Sequence, residues 1–151
     1  MSQEFRHIVR IAGTDLDGSA KLPYALTDIE GVGIRTAYAA IKIAKLDPEL
    51  RTGYLTESQA KELERVIQDM SKIGVPSWLL NRRKDISSGK DIHLIGPDLK
   101  LTNRMDVERM KATKSWKGIR HALGLKVRGQ HTRTTGRTGQ TVGVSKKKVK
   151  P

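Results

Sequence analysis

The feature that most constrains this chain is where its acidic residues stop. Glu108 is the last of 16, and the 43 residues from Arg109 to Pro151 hold 13 Lys and Arg with no Asp or Glu. The first 108 residues carry 16 basic and 16 acidic groups, so the whole excess of +13 falls in the final stretch. That stretch is also poor in core formers, because Lys126 to Pro151 contains no Leu, Ile, Phe, Trp or Tyr. Its 26 residues cannot bury enough apolar surface to fold alone. Extended at ~3.3 Å per residue, they would span about 85 Å. A neutral body with an uncompensated cationic tail suits a polyanion, because Lys and Arg release condensed counterions from phosphates. A run of like charge is often only a solvated tail. Here the charges alternate with Gly and Thr, and Trp116, Ile119 and Leu123 set an apolar stripe at helical spacing at the root. Both features favour contact with nucleic acid.

The remaining composition excludes several classes. A chain of 151 residues makes about one domain, or a small domain with an appendage. With 36% apolar and 4% aromatic residues, its core is modest and aliphatic. The absence of cysteine removes disulfides, thiolate catalysis and Cys-based zinc sites, and fits an intracellular protein. No apolar run is long enough to span a membrane, and MSQEFRHIVRIAG lacks the apolar centre of a signal peptide. His7, His93, His121 and His131 do not pair at metal-ligand spacing, and no carboxylate pair stands out. Gly136-Arg137-Thr138-Gly139 lacks the lysine of a phosphate-binding loop. Neither an enzyme nor a bound cofactor is expected.

Along the chain, FRHIVRI places Phe5, His7, Val9 and Ile11 on one face of an extended segment. Gly13 to Ala20 reads as turn-rich. Pro23 suits the first turn of a short helix from Tyr24 to Glu30. Gly31-Val32-Gly33 separates it from a second helix, whose face is Ala37, Ala40, Ile41 and Ala44. Two glycines at a helix start allow either a tight packing turn or exposed N–H groups that hold an anion, with Arg35 alongside. The spacing alone leaves both open. Thr56 and Gln59 form a capping box that opens a helix with Ala60, Leu63, Ile67 and Met70 on one face, closed by Gly74 and Pro76. Pro76 to Pro97 reads as an ordered loop or a short two-stranded excursion. Its Arg82-Arg83-Lys84 is either a phosphate contact or a solvated cluster. Asp98 to Thr113 predicts a helix with Leu101, Met105 and Ala112 on one side, and Ser115 caps another from Trp116 to Leu123, ended by Gly124. The expected class is mostly α. A helical body covers 1–113, with a helix–two-turns–helix module over about 23–73, and a basic extension covers 114–151.

Arg120 to Gly139, RHALGLKVRGQHTRTTGRTG, resembles the R-H-x-x-G-L-x-V-R-G-Q-x-T-x-T signature of the family of ribosomal protein thirteen of the small subunit. RIAGTDL near the start and ALTDIEGVG in the first third match that family in the same order. PSWLLNRRKD and TVGVSKKK resemble its archaeal and eukaryotic branch, and Lys126 stands where bacterial members commonly carry Pro.

The resemblance implies a structural constituent of the head of the small subunit, cytoplasmic with the ribosome. Such proteins bind small-subunit rRNA, lie beside small-subunit ribosomal protein nineteen, form a bridge to large-subunit ribosomal protein five, and approach peptidyl-site tRNA with the tail. Carried over by motif, Lys117, Arg120, His121, Arg128, Gly129, Gln130, Thr132 and Arg133 lie against rRNA, with Lys114, Lys126 and Arg137 beside them in the same basic run. Gly31, Val32, Gly33 and Arg35 form the inter-helix loop, with Gly31, Gly33 and Arg35 also expected to face rRNA. The tRNA-proximal set is Lys146, Lys147, Lys148 and Lys150. A competing reading takes IEGVGIRTAYAAI as a helix–hairpin–helix-like, non-specific DNA-binding element, but it leaves the long C-terminal signature unexplained. A third, a protein-binding adaptor with a merely soluble tail, predicts little salt dependence.

Overall fold

The computed structural model describes residues 5–136 and 143. It divides into two compact units, Met1–Thr102 and Asn103–Pro151. The first, here the body, begins with an antiparallel hairpin of β1 (Ile8–Ile11) and β2 (Thr14–Asp17), in register Ile8↔Asp17 to Ile11↔Thr14. The two-residue turn has positive φ at Ala12 (49°) and Gly13 (76°), the geometry whose twist matches paired strands. Val9, Ile11 and Leu16 point into the core while Ile8 is exposed. β2 corrects the turn-rich reading of this stretch. Leu16 is its single buried residue, so TDLD carries too little alternation to announce a strand, and pairing with β1 supplies what the local pattern lacks.

Helix α1 (Leu22–Ala25) starts with Pro23 in its first turn and tightens into a 3-10 turn at Leu26–Asp28. It is shorter than the expected run to Glu30. α2 (Ile34–Ile43) buries Ala37, Ala40 and Ile41, and Ala44 at its C-terminal cap is buried too. These small side chains let neighbouring segments approach closely. α3 (Glu57–Gln68) opens with the expected capping box: Gln59 N–H donates to Thr56 Oγ1 at 3.3 Å, and Thr56 N–H donates to Gln59 Oε1 at 3.0 Å. Leu63, Ile67 and Met70 face the core, with Ala60 packed at its edge. α2 and α1 pack together, α3 packs on α2 and β1, and Leu22, Leu26, Ile29 and Ile41 fill the space between.

The segment after α3 is an ordered loop carrying one antiparallel bridge, Arg82↔Ile92. Its order comes from polar pairing. The Asn81 side chain donates to Leu94 O (2.6 Å) and accepts from Leu94 N–H (2.9 Å). Asp85 is buried and accepts from Arg82 Nε (2.6 Å), Ser87 Oγ (2.5 Å) and Ser88 N–H (3.1 Å). Those donors hold its carboxyl well below the usual carboxylate range. Arg82 of the basic triplet is therefore committed to the loop itself. His93 is buried, its Nδ1 accepting from Asn81 N–H at 3.4 Å, and burial pushes its pKa down.

Helix α4 (Gly96–Ala112) starts in the body and ends in the basic unit. The expected helix is present, but its apolar side is uncovered: Leu101 and Met105 are exposed. α5 (Trp116–Ala122) follows in the basic unit.

Candidate nucleic-acid interface

The basic unit is shaped by backbone devices. Thr113 and Lys114 (φ 50°) turn the chain after α4. Ser115 then bonds in two directions, donating through Oγ to Met110 O (3.0 Å) and accepting from Gly118 N–H (3.2 Å). The second bond caps α5 at its start. Gly118 lies so close to the last turn of α4 that a Cβ there would sit 1.9 Å from Met110 O. Only a residue without a side chain permits this crossing. At the other end, Gly124 N–H donates to His121 O (3.2 Å) and Leu125 N–H to Arg120 O (2.9 Å), with Gly124 at φ 67°. This is the paired-bond ending of a glycine-capped helix, at the glycine expected to end it.

The crossing fans the α5 side chains over two hollows. Arg120 Nε donates to Lys126 O at 2.9 Å, which folds the following segment back along the helix. The Arg120 guanidinium also lies over the Trp116 ring, 5.9 Å from its centroid. Trp116, Arg120, Lys126, Gly129, Gln130, Thr132 and Arg133 line a hollow of about 390 Å³. Lys117, His121 and Arg128 line a second of about 730 Å³, with Met110 and Val127. Arg109 pairs with Asp106 at 2.8 Å, and the sequence carries no Asp or Glu after Glu108. Anionic oxygens entering either hollow would meet several charged donors at once.

The two hollows between them gather nine of the fourteen rRNA-facing positions expected from the sequence. Lys117, His121 and Arg128 line one; Arg120, Lys126, Gly129, Gln130, Thr132 and Arg133 line the other; Lys114 lies on the turn before α5. Arg137, Lys146, Lys147, Lys148 and Lys150 lie outside the described residues. Gly31, Gly33 and Arg35 belong to the body. Gly31, at φ 98°, takes a conformation that a side chain disfavours, and a Cβ there would sit 2.4 Å from Leu94 O. Gly96 N–H donates to Glu30 O (2.8 Å) beside it, and Lys100 pairs with Glu30 (2.7 Å). Gly31 is thus a packing residue. Gly33 N–H donates to Thr36 Oγ1 at 2.7 Å and is engaged within the helix start. Gly33 and Arg35 are both exposed.

Trp116 is a residue that the sequence-based site does not include. Its spacing with Ile119 and Leu123 gives an apolar stripe at the tail's root, and all three are exposed, Trp116 at 72%. The available signal was its position: an aromatic at the start of a short helix, inside a run without acids. Among the described residues no group of His, Asp and Glu is arranged to hold a metal, and no helix is long and apolar enough to cross a membrane.

A family model described as "Ribosomal protein S13/S18" matches residues 10–138. Similar chains named "Small ribosomal subunit protein uS13" include that of Staphylothermus marinus, 56% identical over 97% of this chain and 97% of its own length. That of Saccharolobus solfataricus is 55% identical over 99% of this chain and 90% of its own. That of Methanocaldococcus jannaschii is 49% identical over 97% and 98%. The match takes in both the glycine loop and the basic run, so the C-terminal signature that a helix–hairpin–helix reading leaves aside is accounted for.

Proposed function

This chain belongs to the ribosomal protein S13/S18 family, and on that footing we propose that it is a structural constituent of the small ribosomal subunit that grips rRNA with its basic unit. The observation that carries the reading is the gathering of cations from α5 and residues 126–133 around two hollows, with no acid after Glu108. RNA helices offer phosphates, 2′-hydroxyls and shape, not a readable major groove. Arg120, Arg128 and Arg133 suit phosphate forks, and Gly129 lets the backbone approach closely. Lys114, Lys117, His121, Lys126, Gln130, Thr132 and Arg137 complete the contact set. The exposed Gly33 and Arg35 form a second, smaller contact, made through the Arg35 side chain and the bare backbone at Gly33. Gly31 supports it by holding the loop.

The finer assignments follow the family resemblance: small-subunit ribosomal protein nineteen as neighbour, a bridge to large-subunit ribosomal protein five, and Lys146, Lys147, Lys148 and Lys150 near peptidyl-site tRNA. The test is a salt titration of the full chain against a small-subunit rRNA fragment and against duplex DNA of equal charge. With about 8 phosphates contacted, log K falls against log salt with a slope of about −6 to −7, and the rRNA binds more tightly. A slope near zero, or no advantage over duplex DNA, contradicts the reading.

A further inference from the structure

Trp116 has no core to enter. Its ring is 72% exposed, and the apolar residues that share its helix, Ile119 at 44% and Leu123 at 67%, are exposed as well. A tryptophan left in water forgoes a large apolar burial, which it recovers when something flat covers it. The ring is nevertheless held in place. Arg120 lies over it at 5.9 Å, within cation–π range, and is itself tethered by its Nε bond to Lys126 O. Ring and guanidinium form one wall of the hollow of about 390 Å³, and Lys126, Gln130 and Arg133 contribute to the rest. Its volume falls in the range of small-molecule sites.

The chemistry of these walls is mixed in a specific way. There is a flat π surface, a guanidinium plane, two further cations, and an amide that both donates and accepts. A bare phosphate would use the cations and leave the indole uncovered. A paired RNA stem would present phosphate and ribose, with its bases stacked on one another and out of reach. A nucleotide turned out of its stack uses every wall: base on the ring, phosphate on the cations, base edge on Gln130. We propose that this hollow takes a single unpaired nucleotide of RNA, its base stacked on Trp116. The proposal rests on the rRNA-binding reading and narrows it from phosphate contact to recognition of a bulged or loop nucleotide.

The test uses the full chain and two RNA hairpins, identical except for one unpaired nucleotide in the stem of the first. That nucleotide carries a fluorescent aminopurine base whose emission falls on stacking. The natural chain binds the bulged hairpin about tenfold more tightly than the paired one, as expected for one stacked base, and quenches the probe. Trp116→Leu abolishes both the preference and the quenching but keeps the affinity for the paired hairpin. Trp116→Phe retains most of both, and Trp78→Phe, at the other tryptophan, changes neither. Equal binding of the two hairpins by the natural chain, or a preference that survives Trp116→Leu, overturns the proposal. In that case salt-dependent affinity for both hairpins leaves the rRNA-binding reading standing. Failure to bind either hairpin overturns both.

Discussion

The body and the basic unit acquire their local structure by opposite means. In the body, Leu22, Leu26, Ile41, Leu63 and Ile67 are each at most 1% exposed, and among the described residues every buried hydrophobic one lies at or before Leu80. In the basic unit, Gly118 is the one buried residue among those described, and it is buried because it has no side chain to keep outside. A seven-residue helix such as α5 is too short to persist on propensity. It is specified by Ser115 at one end, the Gly124 ending at the other, and the Gly118 crossing between them. The difference teaches how a chain with little core can still present defined side chains. Backbone hydrogen bonds and close glycine contacts fix the positions, while apolar and cationic groups stay exposed for a partner.

Core truncation should separate the two regions most sharply. Leu63→Ala removes a fully buried side chain and should cost about 2–5 kcal/mol of body stability. Trp116→Leu should shift it by no more than about 0.5 kcal/mol. Denaturant unfolding followed by far-UV circular dichroism measures both, and similar losses would mean that the basic unit has a core of its own. Gly118→Ala strikes the other region. Its Cβ would collide with Met110 O, so the α4–α5 crossing should lose about 1–3 kcal/mol or more. The α5 amide resonances should shift and rRNA affinity fall, with the unfolding midpoint of the body unchanged. A smaller effect is expected at Thr56→Ala, which deletes the α3 cap for about 1 kcal/mol. It should lower the body's midpoint and leave rRNA binding alone.

The smallest effect is a pH dependence confined to the body. Burial lowers the folded pKa of His93 below 6.5. Above that pH both folded and unfolded chains hold it neutral. Below it the unfolded chain takes a proton that the folded chain refuses, so stability is lost as pH falls from 6.5 to the folded value. His93→Gln should remove this component. Urea midpoints of both chains, taken above and below pH 6.5, would show it, and equal slopes for the two would count against it.

Where chain-local chemistry decides structure, the sequence was informative. Thr56 and Gln59 marked the start of α3, Ser115 and Gly124 bracketed α5, and the small-residue face of α2 is buried as its spacing required. Where pairing between segments decides, it was less so. β2 exists because β1 pairs with it across a two-residue turn, and the loop after α3, expected to be ordered or briefly two-stranded, is held by Asn81 meeting Leu94 and Arg82 meeting Ile92. Periodicity also reports a face without saying what covers it. Leu101 and Met105 on α4, and Trp116, Ile119 and Leu123 on α5, have helical spacing and no cover within the described chain. For the candidate site, the run of cations was plain from composition and motif. The role of Arg120 as a tether, and the exposure of Trp116 beside it, required coordinates.

The most direct test of the central claim compares the full chain with a truncation at Thr113, titrating each with a small-subunit rRNA fragment at two salt concentrations. The truncation retains the whole buried core and should unfold with the same midpoint as the body of the full chain. It should also lose most of the rRNA affinity and most of the salt dependence. A truncation that binds as tightly as the full chain, with the same response to salt, would place the rRNA grip in the body and contradict the account.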